Sequence, residues 1–240
     1  MLRDVGEIVL GVVIALMLGA VASEIGWKLE VRKAKAALSS ELGEIVGQAL
    51  QRERADACIE RRLDAIAAIL DRAEASGRLP PVGDIGQPLS RTWSTDVWDA
   101  TRSADIASHM ERSEIDDISG VYSLIELVSD ATQKEIDAWI DLYALVGPGR
   151  AVDAGELRAL RGALARARAA HRMVLGGGIR IDNYVRELEL PADTRDIAKY
   201  RDESIDLVCR TAAPYAGQRY GEAPFRGLGK RLREPARATP

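Results

Sequence analysis

The feature that most constrains this 240-residue chain is an uncharged apolar run near its N-terminus. The fifteen residues from Ile8 to Ala22 read IVLGVVIALMLGAVA, and Trp27 and Lys28 follow shortly after. A helix rises about 1.5 Å per residue, so this run, extended back past Glu7 to Val5, just crosses a hydrocarbon core of about 30 Å. Tryptophan and lysine are typical of the interface that such a helix reaches. The sequence therefore predicts a single membrane-spanning anchor tied to a lipid bilayer.

Two other interpretations of this segment are open. The small residues from Ala20 to Ser23 match the cleavage pattern of a secretory signal peptide, although Asp4 and Glu7 offset Arg3 in a region that a signal peptide keeps positive. A buried core helix is the third interpretation, because the run lies near the lower length limit for a span. No turn residues follow Trp27 to mark a mature start, and this favours the uncleaved anchor.

The composition predicts an all-α fold for the rest of the chain. Aromatic residues make up 5% of the sequence, there is a single Phe, and runs of β-branched residues typical of strands are absent. We expect an antiparallel helical bundle whose first helix continues from the membrane anchor. The predicted division is an anchor over residues 1–27, a bundle over 28–210 and a basic, irregular tail over 211–240.

Apolar residues that recur every three or four positions locate the helix faces that should pack together. The first helix should run to about Gly77, and its packing face carries Leu38, Leu42, Ile45, Ala49, Arg52, Asp56, Ile59, Leu63, Ile66, Leu70 and Ala73. Residues 76–90 hold three prolines and three glycines and should form a loop.

Four more segments of the sequence are predicted to be helical. A second helix should run from Thr92 to Met110, and a third should begin at a capping box of Ser113 and Asp116. Asp153 should cap a fourth helix, and Asp193 a last helix that ends near Cys209. The packing face of the fourth helix is the most regular: Leu157, Leu160, Leu164, Ala167, His171, Val174, Gly178, Ile181, Val185 and Leu188.

No catalytic, cofactor or metal-binding motif is found. His171 lies on an apolar helix face without companion ligands in a recognised spacing, so a hydrogen-bonded core histidine is the favoured interpretation. The triplet Gly176 to Gly178 lacks the residues of a phosphate loop and favours a kink or a close helix approach over a chain break. The acidic residues from Glu111 to Asp117 are typical of a solvated helix start. We therefore expect no cofactor or metal ion, and an enzyme is the least favoured of the functions considered, although the sequence leaves that question open.

The net charge of −4 is unevenly distributed along the chain. Residues 216–240 hold six basic and two acidic side chains, a net of +4, which leaves −8 for residues 1–215. An acidic body is a poor surface for nucleic acid, so no nucleic-acid partner is expected. Four basic residues of the tail are candidates for contact with an anionic lipid surface, and a merely solvated tail explains them equally well. These four are Arg226, Lys230, Arg231 and Arg233.

The two cysteines bear on which side of the membrane the body lies. Cys58 and Cys209 can form one disulfide, and two buried thiols explain the pair equally well. Lys28, Arg32, Lys33 and Lys35 follow the span directly, and the positive-inside rule slightly favours a cytoplasmic body. A disulfide would require the opposite side, so the sequence leaves the side undecided.

The N-terminal hundred residues resemble a group of uncharacterised proteobacterial proteins. The resemblance rests on the short anchor, the Trp and basic cluster after it, the Cys-x-x-Arg-Arg-Leu motif at Cys58 to Leu63, and the Trp pair at Trp93 and Trp98. It implies a helical architecture and a location in the bacterial inner membrane, and it implies no activity.

From these observations we expect a single-pass, membrane-anchored helical bundle that acts as an interaction or structural module. Its partner would be another protein or a second copy of the chain, bound through helices. A small-ligand sensor that signals through the anchor helix is the alternative.

Overall fold

The computed structural model describes the backbone of residues 2–210 and the side chains of residues 10–206 and 208–210. The described chain is mainly helical, as predicted from its composition. Its helices are α1 (Leu2–Ser76), α2 (Asp96–Ser103), α3 (Arg112–Leu142), α4 (Ala154–Glu187), α5 (Thr194–Arg201) and α6 (Asp206–Cys209). Two short strands, β1 (Arg78–Leu79) and β2 (Arg150–Ala151), pair antiparallel. This pairing joins the segment that follows α1 to the segment that follows α3.

Contacts between helices show the relative directions of the three long helices. Tyr122 of α3 bonds to Glu41 of α1, and Glu135 of α3 bonds to Arg52 of α1, so these two helices run in the same direction. Helix α4 packs on both and runs the opposite way, because Arg161 at its start pairs with Asp71 near the end of α1. The prediction of an all-α bundle with antiparallel packing is confirmed.

The packing faces of α1 and α4 are those that the residue spacing predicts. Every apolar position on the predicted face of α1 from Leu38 to Ala73 is buried, and so is Arg52, while Asp56 is half-buried. On α4 all ten predicted positions are buried except Leu188, which is partly so. Regular spacing identifies these faces because α4 packs along its whole length and α1 packs from Ala34 onward.

The glycine triplet of α4 is a point of close helix approach rather than a break. The helix continues through it, and a Cβ on Gly177 would lie 2.3 Å from Cγ2 of Val128 on α3. On the neighbouring face, a Cβ on Gly178 would lie 3.3 Å from the Cβ of Ala49 on α1. The triplet thus lets α4 sit close to both of its neighbours.

A second close approach seats the short helix α5 on α1. A Cβ on Gly43 would lie 2.6 Å from the carbonyl oxygen of Asp193, and one on Gly47 would lie 2.7 Å from that of Ile197. The amide of Asp193 also donates to the carbonyl of Ser39 at 2.8 Å. The Asp193 carboxylate accepts from the amide of Arg195, as predicted for a helix cap.

The loop between α1 and α2 contributes to the core instead of lying in solvent. Leu79, Val82, Ile85, Leu89 and Trp93 are all buried, although residues 80–95 have almost no regular structure. An isolated bridge joins Val82 to Gly147, with hydrogen bonds of 2.8 and 2.9 Å. The loop was predicted correctly, but its apolar residues fill the space that α1 and α3 leave between them.

Three predictions about the bounds of individual helices are wrong. The second helix spans only Asp96–Ser103, because Asp105 adopts a left-handed conformation with φ of 59° and a 3₁₀ turn follows. Helix α3 begins at Arg112, with Ser113 inside the helix and no side-chain cap. The last helix is split, since α5 ends at Arg201 and α6 begins at Asp206.

Two apolar clusters build the core, and each long helix passes from one to the other at a buried polar residue. On α1 the change occurs at Arg52, between Ala49 and Ala55; on α3 it occurs at Glu135 and on α4 at His171. We call the cluster nearer the N-terminal segment the proximal core and the other the distal core. The three polar residues therefore lie at one level of the bundle, between the two cores.

Candidate functional site

The polar layer between the two cores is the most unusual chemical feature of the described chain. Glu135 and His171 have no exposed surface and Arg52 is 2% exposed. Buried charges are costly unless they are paired and hydrogen-bonded, so their partners decide what the layer can do.

Arg52 is the centre of this layer. Its Nη1 donates to the carbonyl oxygen of Leu89 at 2.9 Å, and its Nη2 lies 2.7 Å from Oε1 of Glu135. The same Nη2 lies 2.7 Å from Nδ1 of His171. One side chain thus joins α1, α3, α4 and the buried loop.

The contacts of Arg52 determine the tautomer of His171. A guanidinium is only a donor, so Nδ1 must accept and the ring proton must reside on Nε2. From there Nε2 donates to Oδ1 of Asp56 at 2.9 Å, and Oε1 of Glu60 lies 3.5 Å away. The expectation of a hydrogen-bonded core histidine is confirmed.

Five buried side-chain atoms within about one helical turn of this layer have no hydrogen-bond partner among the described residues. They are Gln48 Oε1 and Arg52 Nε on α1, Glu135 Oε2 and Trp139 Nε1 on α3, and Arg168 Nε on α4. Glu135 and Trp139 lie one turn apart on α3, so a buried acceptor and a buried donor are left unpaired on the same helix face. The layer is therefore not fully satisfied in this arrangement.

Sequence spacing predicted part of this layer. Arg52, Asp56 and His171 stand on the predicted packing faces, but Glu135 was missed. The three- and four-residue spacing places Thr132 and Trp139 on the packing face of the third helix, with a gap of seven residues between them. Such a gap requires one more buried position near residue 135, and this was the signal for Glu135.

A second buried carboxylate, Glu41, organises the proximal core. It accepts from the amide of Val97 at 3.1 Å, from the hydroxyl of Ser94 at 3.0 Å and from the hydroxyl of Tyr122 at 2.5 Å. The pKa of Tyr122 is raised far above its usual range, mainly by burial and secondly by the nearby Glu41 carboxylate. The Tyr122 hydroxyl therefore keeps its proton and stays a donor. The Tyr122 ring stacks on Trp98, and both Trp93 and Trp98 are buried.

In the structure Cys58 of α1 and Cys209 of α6 form a disulfide, with their Cα atoms 4.9 Å apart. Beside it lies a cleft of about 240 Å³ with largely apolar walls, which include Ile66, Ile69 and Ile85. Arg62 borders this cleft, and its Nε donates to the carbonyl of Val208 at 2.9 Å. The disulfide and Arg62 together hold the end of the described chain against α1.

The N-terminal part of α1 makes few contacts with the rest of the described chain. Residues 10–26 are exposed, and an 18-residue window there has a mean hydropathy of 1.9 with none of it buried. This helix is long and apolar enough to cross a membrane. Its first contact with the body is Trp27, whose ring stacks on His109 with centroids 3.9 Å apart.

The basic tail residues Arg226, Lys230, Arg231 and Arg233 lie outside the described residues, and their predicted contact with lipid stays a prediction. Among the described side chains, one group combines histidine and carboxylates closely enough to hold a metal ion: Asp56, Glu60 and His171. Its ligand atoms come from two helices, so no local sequence motif could reveal it.

Comparison of the chain with protein-family models, with curated proteins and with solved structures finds no match.

The buried Arg52–Glu135 pair yields the first prediction. Arg52→Met should lower the free energy of unfolding by about 3–5 kcal/mol, because it leaves the Glu135 carboxylate buried and unpaired. The double variant Arg52→Met/Glu135→Leu should recover much of this loss, since it removes both charges. Urea unfolding of the full chain in detergent measures both effects.

The control is Arg166→Ala, which removes an ion pair with Asp141 in which both side chains are more than half exposed. Such a pair contributes about 0–1 kcal/mol. If Arg52→Met costs no more than Arg166→Ala, the polar layer is not the buried network described above.

Proposed function

We propose that this chain is a single-pass, membrane-anchored helical module with a structural or protein-interaction role. Residues 1–27 would form the anchor and residues 28–210 the body. The observation that carries the proposal is α1 itself, which runs without a break from an exposed apolar segment into the centre of the bundle.

The exposed segment of α1 supports insertion into a bilayer. Leu16, Met17 and Leu18 are each more than 60% exposed and project in different directions around the helix. Burying such side chains in hydrocarbon is favourable by about 1.5–3 kcal/mol each. The first contact of α1 with the body is at Trp27 and its first buried residue is Ala34, so the body does not cover these three side chains.

The continuity of α1 also supports an anchor that is not cleaved. The helix passes through Ala20 to Ser23, the candidate cleavage site, without interruption. Beyond it, Lys28 pairs with Glu24 at 3.3 Å and Lys33 with Glu30 at 2.8 Å, which are helix-stabilising spacings. A mature chain starting at Ser23 would begin in the middle of a regular helix.

The disulfide supports a body on the oxidising side of the membrane, the periplasm if the membrane is the bacterial inner membrane. Disulfides persist in oxidising compartments and are rare in the cytosol. Lys28, Arg32, Lys33 and Lys35 oppose this orientation under the positive-inside rule. The disulfide is the more specific of the two indications, because it is a single defined pairing that holds α6 to α1.

Exposed apolar residues on α3 and α4 support self-association of the body. Leu127 and Met173 are about half exposed and border the same shallow cleft between the two helices. Exposed acids, Glu126 and Asp130, flank Leu127 on α3, and exposed Arg172 and Arg180 lie on α4. In a two-fold dimer the same patch occurs on both subunits, so acidic α3 would face basic α4 of a second copy.

The anchor is tested by extraction from membranes. The full chain should remain in the membrane pellet through high salt and alkaline carbonate, because hydrophobic insertion resists both. A chain that starts at Lys28 should be soluble and helical, since it keeps every residue of both cores. Release of the full chain by carbonate would contradict the anchor.

The side of the membrane is tested by trapping thiols in intact cells. After rapid acid quenching, Cys58 and Cys209 should react with a mass tag only when a reductant is added. The Cys58→Ser variant is the control, because its unpaired Cys209 should be tagged without reductant. Tagging of both native cysteines without reductant would place the body in the cytoplasm.

Self-association is tested by a photo-crosslinking residue placed at position 127. It should give a covalent dimer of this chain in cells, whereas the same residue in place of Gln133, exposed on another face of α3, should not. Equal dimer yields at the two positions, or none at 127, would rule out this surface as the contact.

A further inference from the structure

Two carboxylates of α1 and one imidazole of α4 converge at the open edge of the polar layer. Asp56 and Glu60 lie one helical turn apart, so their side chains share a face. Nε2 of His171 lies 2.9 Å from Oδ1 of Asp56 and 3.5 Å from Oε1 of Glu60. All three ligand atoms lie within 4.8 Å of one another.

We infer that Asp56, Glu60 and His171 form a binding site for one divalent transition-metal ion, with Zn²⁺ the best suited. A tetrahedral ion about 2.0–2.2 Å from each ligand holds its ligand atoms about 3.3–3.6 Å apart. The 3.5 Å separation already meets this requirement, and the 2.9 Å separation needs a shift of a few tenths of an ångström. Both carboxylate side chains are 40% exposed, so an ion and a fourth, water ligand can enter from solvent.

The local charge fits a divalent cation. Asp56, Glu60 and Glu135 contribute three negative charges at this level, and Arg52 contributes one positive charge. With His171 neutral, as its contact with Arg52 requires, the surplus is two negative charges. Without an ion, the Nε2–H of His171 is the one donor that lies near both the Asp56 and the Glu60 carboxylates. A bound divalent ion would neutralise both of these negative charges.

The unpaired atoms behind the histidine are an independent observation that points to the same ligand. An ion on Nε2 of His171 displaces its proton, and the neutral ring then carries its proton on Nδ1. That proton needs an acceptor, and Oε1 of Glu135 lies 3.8 Å from Nδ1. A carboxylate behind a metal-bound histidine is the usual outer-shell arrangement.

Arg52 must then turn away from Nδ1, and Glu135 offers the place for it to go. Oε2 of Glu135 and Nε of Arg52 have no partner among the described residues. Arg52 could bond to this second oxygen and keep its bond to Leu89. Two of the buried atoms left unsatisfied without an ion, Oε2 of Glu135 and Nε of Arg52, would thus find a partner in the ion-bound arrangement.

The choice of ion follows from the ligand types. One imidazole and two carboxylates suit Zn²⁺ and neighbouring transition metals, whereas Mg²⁺ and Ca²⁺ prefer sites made only of oxygen. The inference concerns an ion site and is independent of whether the chain associates with itself or spans a membrane.

Calorimetric titration tests the site on the full chain in detergent, after treatment with a chelator and its removal. ZnCl₂ should bind with a stoichiometry of one, and MgCl₂ should not compete. Asp56→Asn/Glu60→Gln should weaken Zn²⁺ binding by more than about 100-fold, because loss of an outer-shell group alone costs about 10–100-fold.

The matched control is Asp71→Asn/Glu74→Gln, a second acidic pair of α1 that faces α4 and is held by Arg161. It should bind Zn²⁺ like the unchanged chain. Absence of stoichiometric binding, or equal weakening in both double variants, would overturn the site, the second result by showing that zinc binds exposed carboxylates at large.

Histidine NMR supplies a readout that does not depend on a variant folding correctly. The chain has two histidines, and ¹⁵N shifts distinguish the tautomers of each ring. Zn²⁺ should move the His171 proton from Nε2 to Nδ1 and leave His109 unchanged. If zinc binds while the His171 tautomer is unaltered, the ion lies elsewhere and the inference is wrong.

Discussion

The continuity of α1 is the constraint on which the rest of the structure depends. A helix satisfies its own backbone hydrogen bonds, so the same element can lie in hydrocarbon at one end and in a protein core at the other. Residues 10–26 are exposed and apolar, whereas the face from Ala34 to Ala73 is buried. Helices α4 and α5 pack directly on the second part, and the disulfide ties α6 to it.

The polar layer fixes the register of the helices that pack around α1. Apolar surfaces slide past each other at modest cost, but Arg52 can reach Glu135, His171 and the carbonyl of Leu89 together in only one alignment. A buried polar group can specify alignment in this way even when it adds little to stability. The layer therefore divides the core in two and positions both halves.

Elements governed by local periodicity were predictable from the sequence. The packing faces of α1 and α4, the end of α1 just before Gly77 and the cap at Asp153 follow from residue spacing and turn chemistry. Asp153 does accept from the amides of Gly155 and Glu156. These features depend on neighbours within one helix, and a sequence displays such neighbours directly.

Features that depend on distant residues were not predictable. Glu135 is buried because Arg52 faces it from another helix, and the loop from Leu79 to Trp93 is buried because α1 and α3 stand apart. The pairing of Cys58 with Cys209 joins residues 151 positions apart, and no spacing rule chooses it over two thiols. Asp56 and Glu60 of α1 likewise meet His171 only because α4 packs against α1. The ligand-sensor alternative stays a prediction, as does the inner-membrane location that the resemblance implies.

The most direct test of the account is the depth of α1 in a bilayer, measured with nitroxide labels on introduced cysteines while the native pair stays blocked as a disulfide. Labels at Leu16 and Glu53 of the full chain in lipid vesicles would be compared for collisions with oxygen, which concentrates in hydrocarbon, and with a water-soluble nickel complex. The account predicts that the label at position 16 collides mainly with oxygen and the label at position 53 mainly with the nickel complex. Both labels should give the spectra that are typical of a label on a helix surface. Equal access of the nickel complex to the two positions would contradict the claim that one helix joins a membrane to the bundle.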